Sequence, residues 1–227
     1  MDLRGYDLTE DQTIMLDGEW SFYPDKLVDP GEIDKTIGNL SQTAKDASHQ
    51  FGTYHLTILV DEHSVADEVY SIRIPSTSTA SALFINGHLK GESGVVATDI
   101  EHHQGKGNPY VVSFFAKKNK IDIVLHVSNF DTSQGIAINK SIKFGTHDAI
   151  AKEQHFTDIL MAGIVITLLL YSIYSLLIYL SIHRANIILF FAFGFLLPGI
   201  DELITYNSAS MGWLPLNYEW SFKFKEG

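Results

Sequence analysis

Short stretches of alternating hydrophobic and polar residues fill the first two thirds of the chain. In Tyr54–Val60 the even positions are apolar, and in Ile121–Val127 the odd positions are apolar. Such alternation puts the apolar side chains on one face, which is typical of a half-buried strand. The pattern predicts seven strands, namely Glu19–Tyr23, Phe51–Val60, Glu68–Ile74, Ser81–Ile85, Tyr110–Phe115, Ile121–Ser128 and Ser141–Phe144. Seven strands without a strong helical pattern predict a mainly β protein built as a β-sandwich.

The Asn86-Gly87 dipeptide predicts a two-residue hairpin turn, because both central positions of that turn need a positive φ. The sandwich interior is predicted to hold four large side chains, those of Trp20, Tyr54, Leu56 and Phe84. For Trp20 the alternative is a surface ring on which a sugar stacks.

The pattern changes abruptly near residue 158. Ile159–Ile182 contains 24 consecutive residues without Asp, Glu, Lys or Arg, and a helix of that length is about 36 Å long. This is enough to cross a hydrocarbon core of ~30 Å. The alternative is the buried helix of a large soluble protein. A second uncharged run follows a short polar break that contains Arg184, so the two runs predict a helical hairpin in a membrane.

Arg184 favours a cytoplasmic position for the turn, which would place the N-terminal domain outside the cytoplasm. Asp201 and Glu202 follow Pro198-Gly199, where we expect a kink or the membrane interface; the alternative is a functional site inside the membrane.

The predicted segments are a domain at 1–145, a connecting helix at 146–157, membrane helices at 158–182 and 186–206, and an extracytoplasmic loop at 207–227. The abrupt ending after two spans is expected of a fragment of a longer protein.

Composition narrows the function. The net charge of -11 argues against nucleic-acid binding, which needs a basic surface. The absence of cysteine excludes disulfides, thiolate metal sites and a cysteine nucleophile. Although His102 and His103 are adjacent, neighbouring side chains seldom bind one ion together, so we expect neither a metal site nor a cofactor. Because nucleophile and phosphate-loop motifs are also missing, we expect no catalysis from this part of the protein.

Ligand binding is expected in the loops at one end of the sandwich. The loop Gly91–Pro109 contains four glycines and His102, and the turn after the strand Ile121–Ser128 contains Asn129, Asp131 and Gln134. These side chains offer amide, imidazole and carboxylate groups to a hydroxyl or carboxylate ligand. The alternative for Asn129 and Asp131 is that they only cap a turn through bonds to the backbone.

Several segments also resemble known families. The order of Phe51–Leu56, Ala82–Gly91 and Ile121–Phe130 resembles the galactose-binding-like jelly roll. The opening Leu16-Asp17-Gly18-Glu19-Trp20-Ser21-Phe22-Tyr23 is similar to the start of the extracytoplasmic domain of bacterial seven-transmembrane receptors with diverse intracellular signalling modules (7TMR-DISM). The resemblance implies a jelly-roll sensor domain followed by two of seven membrane helices in the bacterial inner membrane.

From this resemblance we expect the ligand-sensing part of a transmembrane receptor, which binds a small molecule or carbohydrate and passes the signal through its helices. The implied partners are the lipid bilayer, the remaining membrane helices and a cytoplasmic signalling module, and a second copy of this chain in a homodimer is a further expectation. Two other hypotheses remain open: a membrane-tethered carbohydrate-binding or adhesion module, and an accessory domain of a glycosidase.

Overall fold

The structure is a computed structural model that describes residues 1–6, 8, 12–17, 20–33, 49–61, 68–75, 80–116, 119–132, 135–136, 141–181 and 186–210. The chain divides into two compact units, Met1–Ala151 and Lys152–Gly227. The described strands lie in the first unit, and the described residues of the second unit, 152–181 and 186–210, are helical.

The described part of the first unit has nine strands: β1 (Ile14–Met15), β2 (Ser21–Pro24), β3 (Phe51–Leu59), β4 (Val69–Ile74), β5 (Ala80–Ile85), β6 (His88–Ser93), β7 (Tyr110–Phe115), β8 (Lys120–Ser128) and β9 (Lys143–Thr146). They pair in two antiparallel sheets, a four-stranded sheet in the order β1-β9-β4-β7 and a five-stranded sheet in the order β2-β3-β8-β5-β6. Each predicted strand overlaps one of these nine, and β1 and β6 are additional.

The core lies between the two sheets. Phe22 stacks on Tyr54 from the five-stranded sheet with ring centroids 4.6 Å apart, and Tyr70 stacks on Phe144 from the four-stranded sheet at 5.4 Å. The apolar positions of β3 and β8 fill the space around these rings, and all of them are buried: Leu56, Ile58, Ile121, Ile123, Leu125 and Val127. The predicted β-sandwich is therefore present.

Two of the predicted core residues lie elsewhere. Trp20 is only partly buried; its ring packs edge-on against Tyr54 at the margin of the core, and its Nε1 donates a hydrogen bond to the Leu16 carbonyl. Phe84 was expected inside the sandwich, but it lies on the opposite face of the five-stranded sheet. There it packs in a second apolar cluster with Tyr23, Val28, Ile33 and Val124. The reason is strand alternation: Leu83 and Ile85 face the main core, so Phe84 must face away from it.

The turn between β5 and β6 has the conformation that its sequence favours. Asn86 and Gly87 have φ values of 50° and 81°, and the flanking residues Ile85 and His88 pair across it. Both central residues thus occupy the left-handed region, as a tight hairpin requires.

Two helices follow the last strand. Helix α1 (His147–Ser181) begins directly after β9, and the Thr146 hydroxyl caps it by accepting a hydrogen bond from the Ala149 amide. Helix α2 is Asn186–Ser210 and contains Pro198 in its interior. By length and composition, α1 can cross a membrane, whereas the described apolar part of α2, Ile188–Asp201, is shorter. The predicted loop from residue 211 onward lies outside the described residues.

In the second unit the two helices contact each other through small side chains and through one aromatic pair, Tyr171 and Phe195, whose ring centroids are 5.5 Å apart. Ser172 of α1 is buried and donates a hydrogen bond to the Ala192 carbonyl of α2 at 2.9 Å. Gly199 lies so near α1 that an added Cβ would contact the Leu168 Cβ at 3.4 Å. Small and hydroxyl residues at a helix contact are typical of helices that pack in lipid.

Candidate functional site

The candidate site is one end of the sandwich, which we call the rim. Here β2 ends at Pro24, β3 begins at Phe51 and β8 ends at Ser128. Backbone hydrogen bonds join the adjoining segments, because Asp25 donates to the Phe51 carbonyl and Asn129 donates to the Gln50 carbonyl. The side chains of three loops are thereby brought together over the end of the five-stranded sheet.

His103 is the central side chain of the rim, and only 1% of its side chain is exposed. Its Nε2 lies 3.1 Å from the Asp131 Oδ2, and its Nδ1 lies 2.9 Å from the Ser128 Oγ. A carboxylate can only accept, so Nε2 carries a proton; in the tautomer with its single proton there, Nδ1 accepts from the serine hydroxyl. The Ser128 Oγ in turn accepts a hydrogen bond from the Ala97 amide. Every polar atom of this imidazole therefore has a partner.

Ser128, His103 and Asp131 are hydrogen-bonded in the same order as the serine, histidine and aspartate of a hydrolase triad. Their geometry nevertheless does not suit catalysis. Ser128 has no exposed surface, and its oxygen already accepts a bond from the backbone. A nucleophile must reach its substrate, so this serine is unsuited to attack. The three side chains instead attach the loop after β6 to the end of β8.

Aromatic rings border this cluster. Phe130 packs against His103 with centroids 5.4 Å apart and stacks with Phe51 at 6.4 Å and 22°. Both phenylalanines are only partly buried. Asp131 keeps 41% of its side chain exposed, so the rim presents an accessible carboxylate beside a partly open aromatic surface.

A second carboxylate lies on the same rim. Asp25 accepts a hydrogen bond from His49, with 2.8 Å between Oδ2 and Nδ1, and its side chain is 58% exposed. Its backbone has a φ of 52°, which non-glycine residues adopt rarely. The turn after β2 therefore presents this carboxylate at the rim, where His49 pairs with it.

The residues predicted to bind a ligand have different environments. His102 is exposed and pairs with Asp99 in its own loop at 2.6 Å, which lowers the pKa of Asp99. Asn129 is 1% exposed; its Nδ2 donates to Thr132 Oγ1 and the Gly135 carbonyl, and its Oδ1 accepts from the Thr132 amide. It therefore caps the turn, as the alternative interpretation had it. Gln134 lies outside the described residues.

Asp131 is thus the predicted residue that reaches the cluster, and His103 replaces its neighbour His102 as the imidazole beside it. The sequence has two adjacent histidines in a loop, and no periodic pattern of apolar residues there indicates which of the two is buried. Phe51 and Phe130 are not among the residues predicted to bind a ligand. Phe51 begins a predicted strand, and Phe130 lies in the predicted binding turn but has no polar group to offer a ligand. Within the described ranges, no group of three or more His, Asp or Glu side chains is arranged to hold a metal ion.

Comparison with known proteins gave only distant structural likenesses. No family model matches the chain, and no curated protein sequence does. Among solved structures, the β-glucuronidase of Bifidobacterium dentium in complex with coumarin-3-O-glucuronide is 15% identical, with a TM-score of 0.44 over 64% of this chain and 31% of that one. The β-glucuronidase of Faecalibacterium prausnitzii is 14% identical, with a TM-score of 0.42 over 60% of this chain and 31% of that one. A β-galactosidase from Bacteroides fragilis is also 14% identical, with a TM-score of 0.41 over 60% of this chain and 23% of that one. The chain thus spans less than a third of each of these enzymes.

Proposed function

We propose that this chain is a membrane-anchored binding module whose β-sandwich recognises a carbohydrate at the rim. One observation carries the proposal: the exposed Asp131 carboxylate is fixed by the buried His103 beside the partly open rings of Phe51 and Phe130. A sugar has hydroxyl groups that donate to a carboxylate and C–H faces that pack on aromatic rings. Since His103 holds Asp131 in one orientation, little side-chain entropy would be lost when a ligand binds.

The proposed anchor is α1. Large apolar side chains that are more than half exposed surround this helix, among them Ile159, Leu160, Ile166, Leu170, Tyr174 and Leu180. An exposed apolar surface of this size is unfavourable in water and favourable in lipid. We also propose that α2 is a second membrane helix and that the module itself is not catalytic.

The experiment that tests carbohydrate binding is a titration of the full chain, kept in nonionic detergent, with a panel of neutral sugars and uronic acids. At least one sugar should bind saturably, and Asp131→Asn should weaken its binding at least tenfold, because the amide loses the carboxylate's acceptor strength. Asp99→Asn is the matched control, since Asp99 is an exposed aspartate paired with a histidine of the same loop. Binding that is equal in wild type and Asp131→Asn would contradict the proposal.

A conservative probe of the same site is Gly105→Ala. A Cβ at this position would meet the Asp131 Oδ2, the end of a movable side chain. The carboxylate would be displaced from His103 while the backbone is spared. We therefore expect weaker sugar binding with little change in melting temperature; a large loss of stability with retained affinity would assign Asp131 a structural role instead.

A second candidate is the sensor part of a 7TMR-DISM receptor with a galactose-binding-like jelly roll. The observation that favours it is the direct passage from β9 into α1, where His147 lies 3.1 Å from the Ser113 Oγ and 3.3 Å from the Ser71 Oγ of the four-stranded sheet. The first turn of α1 is thereby hydrogen-bonded to the four-stranded sheet, so a change in the sheet would act on the start of the helix. The coding sequence after Gly227 tests it: five further apolar helices and a cytoplasmic signalling module would support a receptor, whereas a catalytic barrel would support a glycosidase accessory domain.

A further inference from the structure

The sandwich has a cleft at the end opposite the rim. Its volume is about 770 Å³, and its lining includes the side chains of Ile85, Lys90, Phe114, Phe115, Lys120 and Asp122. Strand β8 begins at Lys120 in this cleft and ends at Ser128 on the rim, so the two places are about 26 Å apart along the strand. A ligand in the cleft would therefore not touch the rim.

The acidic group of the cleft is fully engaged by protein groups. The Thr57 hydroxyl donates to Asp122 Oδ1 at 2.7 Å, His55 Nε2 lies 3.3 Å from the same oxygen, and Lys120 Nζ lies 3.0 Å from Oδ2. The bond from His55, followed by those from Thr57 and Lys120, holds the pKa of Asp122 well below its usual range. Asp122 therefore remains ionised and is balanced by Lys120.

The second lysine of the cleft gives it an excess of positive charge. Lys90 lies on the exposed edge strand β6, and among the described residues no carboxylate is within ion-pair distance of its ammonium group. A cationic lining is unusual in a chain whose net charge is -11. A positively charged cleft favours an anionic ligand, because the negative charge on the rest of the surface would repel anions there.

The remaining walls are apolar. Ile85 and Phe114 are buried with their outer surfaces at the cleft, whereas Phe115 is 62% exposed and stands at its edge. A lining that contains both an exposed phenylalanine and a lysine suits a ligand that has both an apolar part and a negative charge.

We propose that this cleft is a second binding site, for a small organic anion whose carboxylate or phosphate pairs with Lys90 and whose apolar part packs on Phe115. Lys120 contributes to the site by pairing with Asp122, which offsets the carboxylate charge that this wall would otherwise present to the ligand. The proposal does not depend on carbohydrate binding at the rim.

Phenyl phosphate is the probe for the test, with inorganic phosphate as the anion without a ring and benzyl alcohol as the ring without an anion. Each is titrated into the full chain in nonionic detergent. Phenyl phosphate should bind saturably, inorganic phosphate at least fivefold more weakly, and benzyl alcohol not measurably. Increasing salt should weaken the binding of phenyl phosphate.

Substitutions then locate the site. Lys90→Gln should weaken phenyl phosphate binding at least tenfold and Phe115→Ala at least threefold, while Lys106→Gln in the loop before β7 should have no effect. Both Lys90 and Phe115 are exposed, so the melting temperature should stay unchanged; if Lys90→Gln lowers it, Lys90→Arg must restore the affinity. Equal affinities in wild type and Lys90→Gln, or no saturable binding at all, would overturn the proposal. Asp131→Asn should leave this binding intact, which separates it from the rim.

Discussion

At the scale of single residues, His126 shows how the five-stranded sheet is closed on its outer face. Its Nε2 donates a hydrogen bond of 2.8 Å to the Val28 carbonyl, and its ring packs against Phe84 at 4.8 Å. The segment after β2 is thereby attached to the sheet. Burial lowers the pKa of His126, and the bond to Val28 and the nearby Asp29 oppose that change only in part.

A pH dependence of stability follows from this buried imidazole. The pKa of His126 is lower in the folded chain than its ordinary value of 6.5. Below that pH the unfolded chain binds a proton that the folded chain resists, so stability falls as the pH decreases. His126→Gln can still donate to Val28 but cannot titrate, and its unfolding free energy should depend less on pH in this window.

Chemical denaturation at several pH values measures that slope. His88→Gln is the control, since His88 is exposed on β6 and its removal should leave the slope as in wild type. If the unfolding free energies of wild type and His126→Gln depend equally on pH, His126 is not the source of the pH dependence.

At the scale of elements, the strands with apolar alternation were predictable and those without it were not. β6 reads His88-Leu89-Lys90-Gly91-Glu92-Ser93 and is mostly exposed, because an edge strand needs little apolar surface. β1 has only two residues, too few for a period. The sequence also does not show that both faces of the five-stranded sheet are covered. Alternation shows which residues share a face but not whether that face is covered.

The sequence predicts a site in loops at one end of the sandwich but does not show which side chains meet there. The long loop after β6 and the turn after β8 contain the residues that are predicted to bind a ligand. Which side chains meet there depends on hydrogen bonds between distant segments, such as His103 with Ser128 and Asp131. No local pattern encodes such bonds. For Asn129 the sequence leaves ligand contact and turn capping both open, and in the structure its side chain caps the turn.

A prediction about strand packing concerns Gly91, whose missing side chain lets β6 approach β7. A Cβ at this position would meet the Val112 Cγ2 at 2.7 Å and the Tyr110 Cε2 at 2.8 Å. Since these side chains are packed, Gly91→Ala should destabilise the sandwich by about 1–3 kcal/mol. The exposed neighbour Lys90→Ala should change stability by less than ~0.5 kcal/mol. Equal unfolding midpoints for the two variants would mean that β6 moves to accommodate the added methyl group without a loss of stability.

At the scale of the whole molecule, an acidic β-sandwich is joined to a long apolar helix in one chain. We expect the sandwich to lie outside the cytoplasm, because Arg184 follows α1 and positive charge favours the cytoplasmic side. Protease added to intact cells that express the chain should then remove the sandwich. A cytoplasmic marker protein should survive the same treatment, and cleavage that occurs only after lysis would reverse the orientation.

The central position of β8 has a consequence for hydrogen exchange. All nine of its residues pair with β3, and Ile123–Ser128 also pair with β5 on the other side. Backbone amides in such a strand cannot meet solvent by fraying at an edge; they are released only when the sandwich opens as a whole. Deuterium should therefore enter β8 last, and its slowest amides would report the global stability of the domain directly, without denaturant. Edge strands β1 and β6 should exchange far sooner.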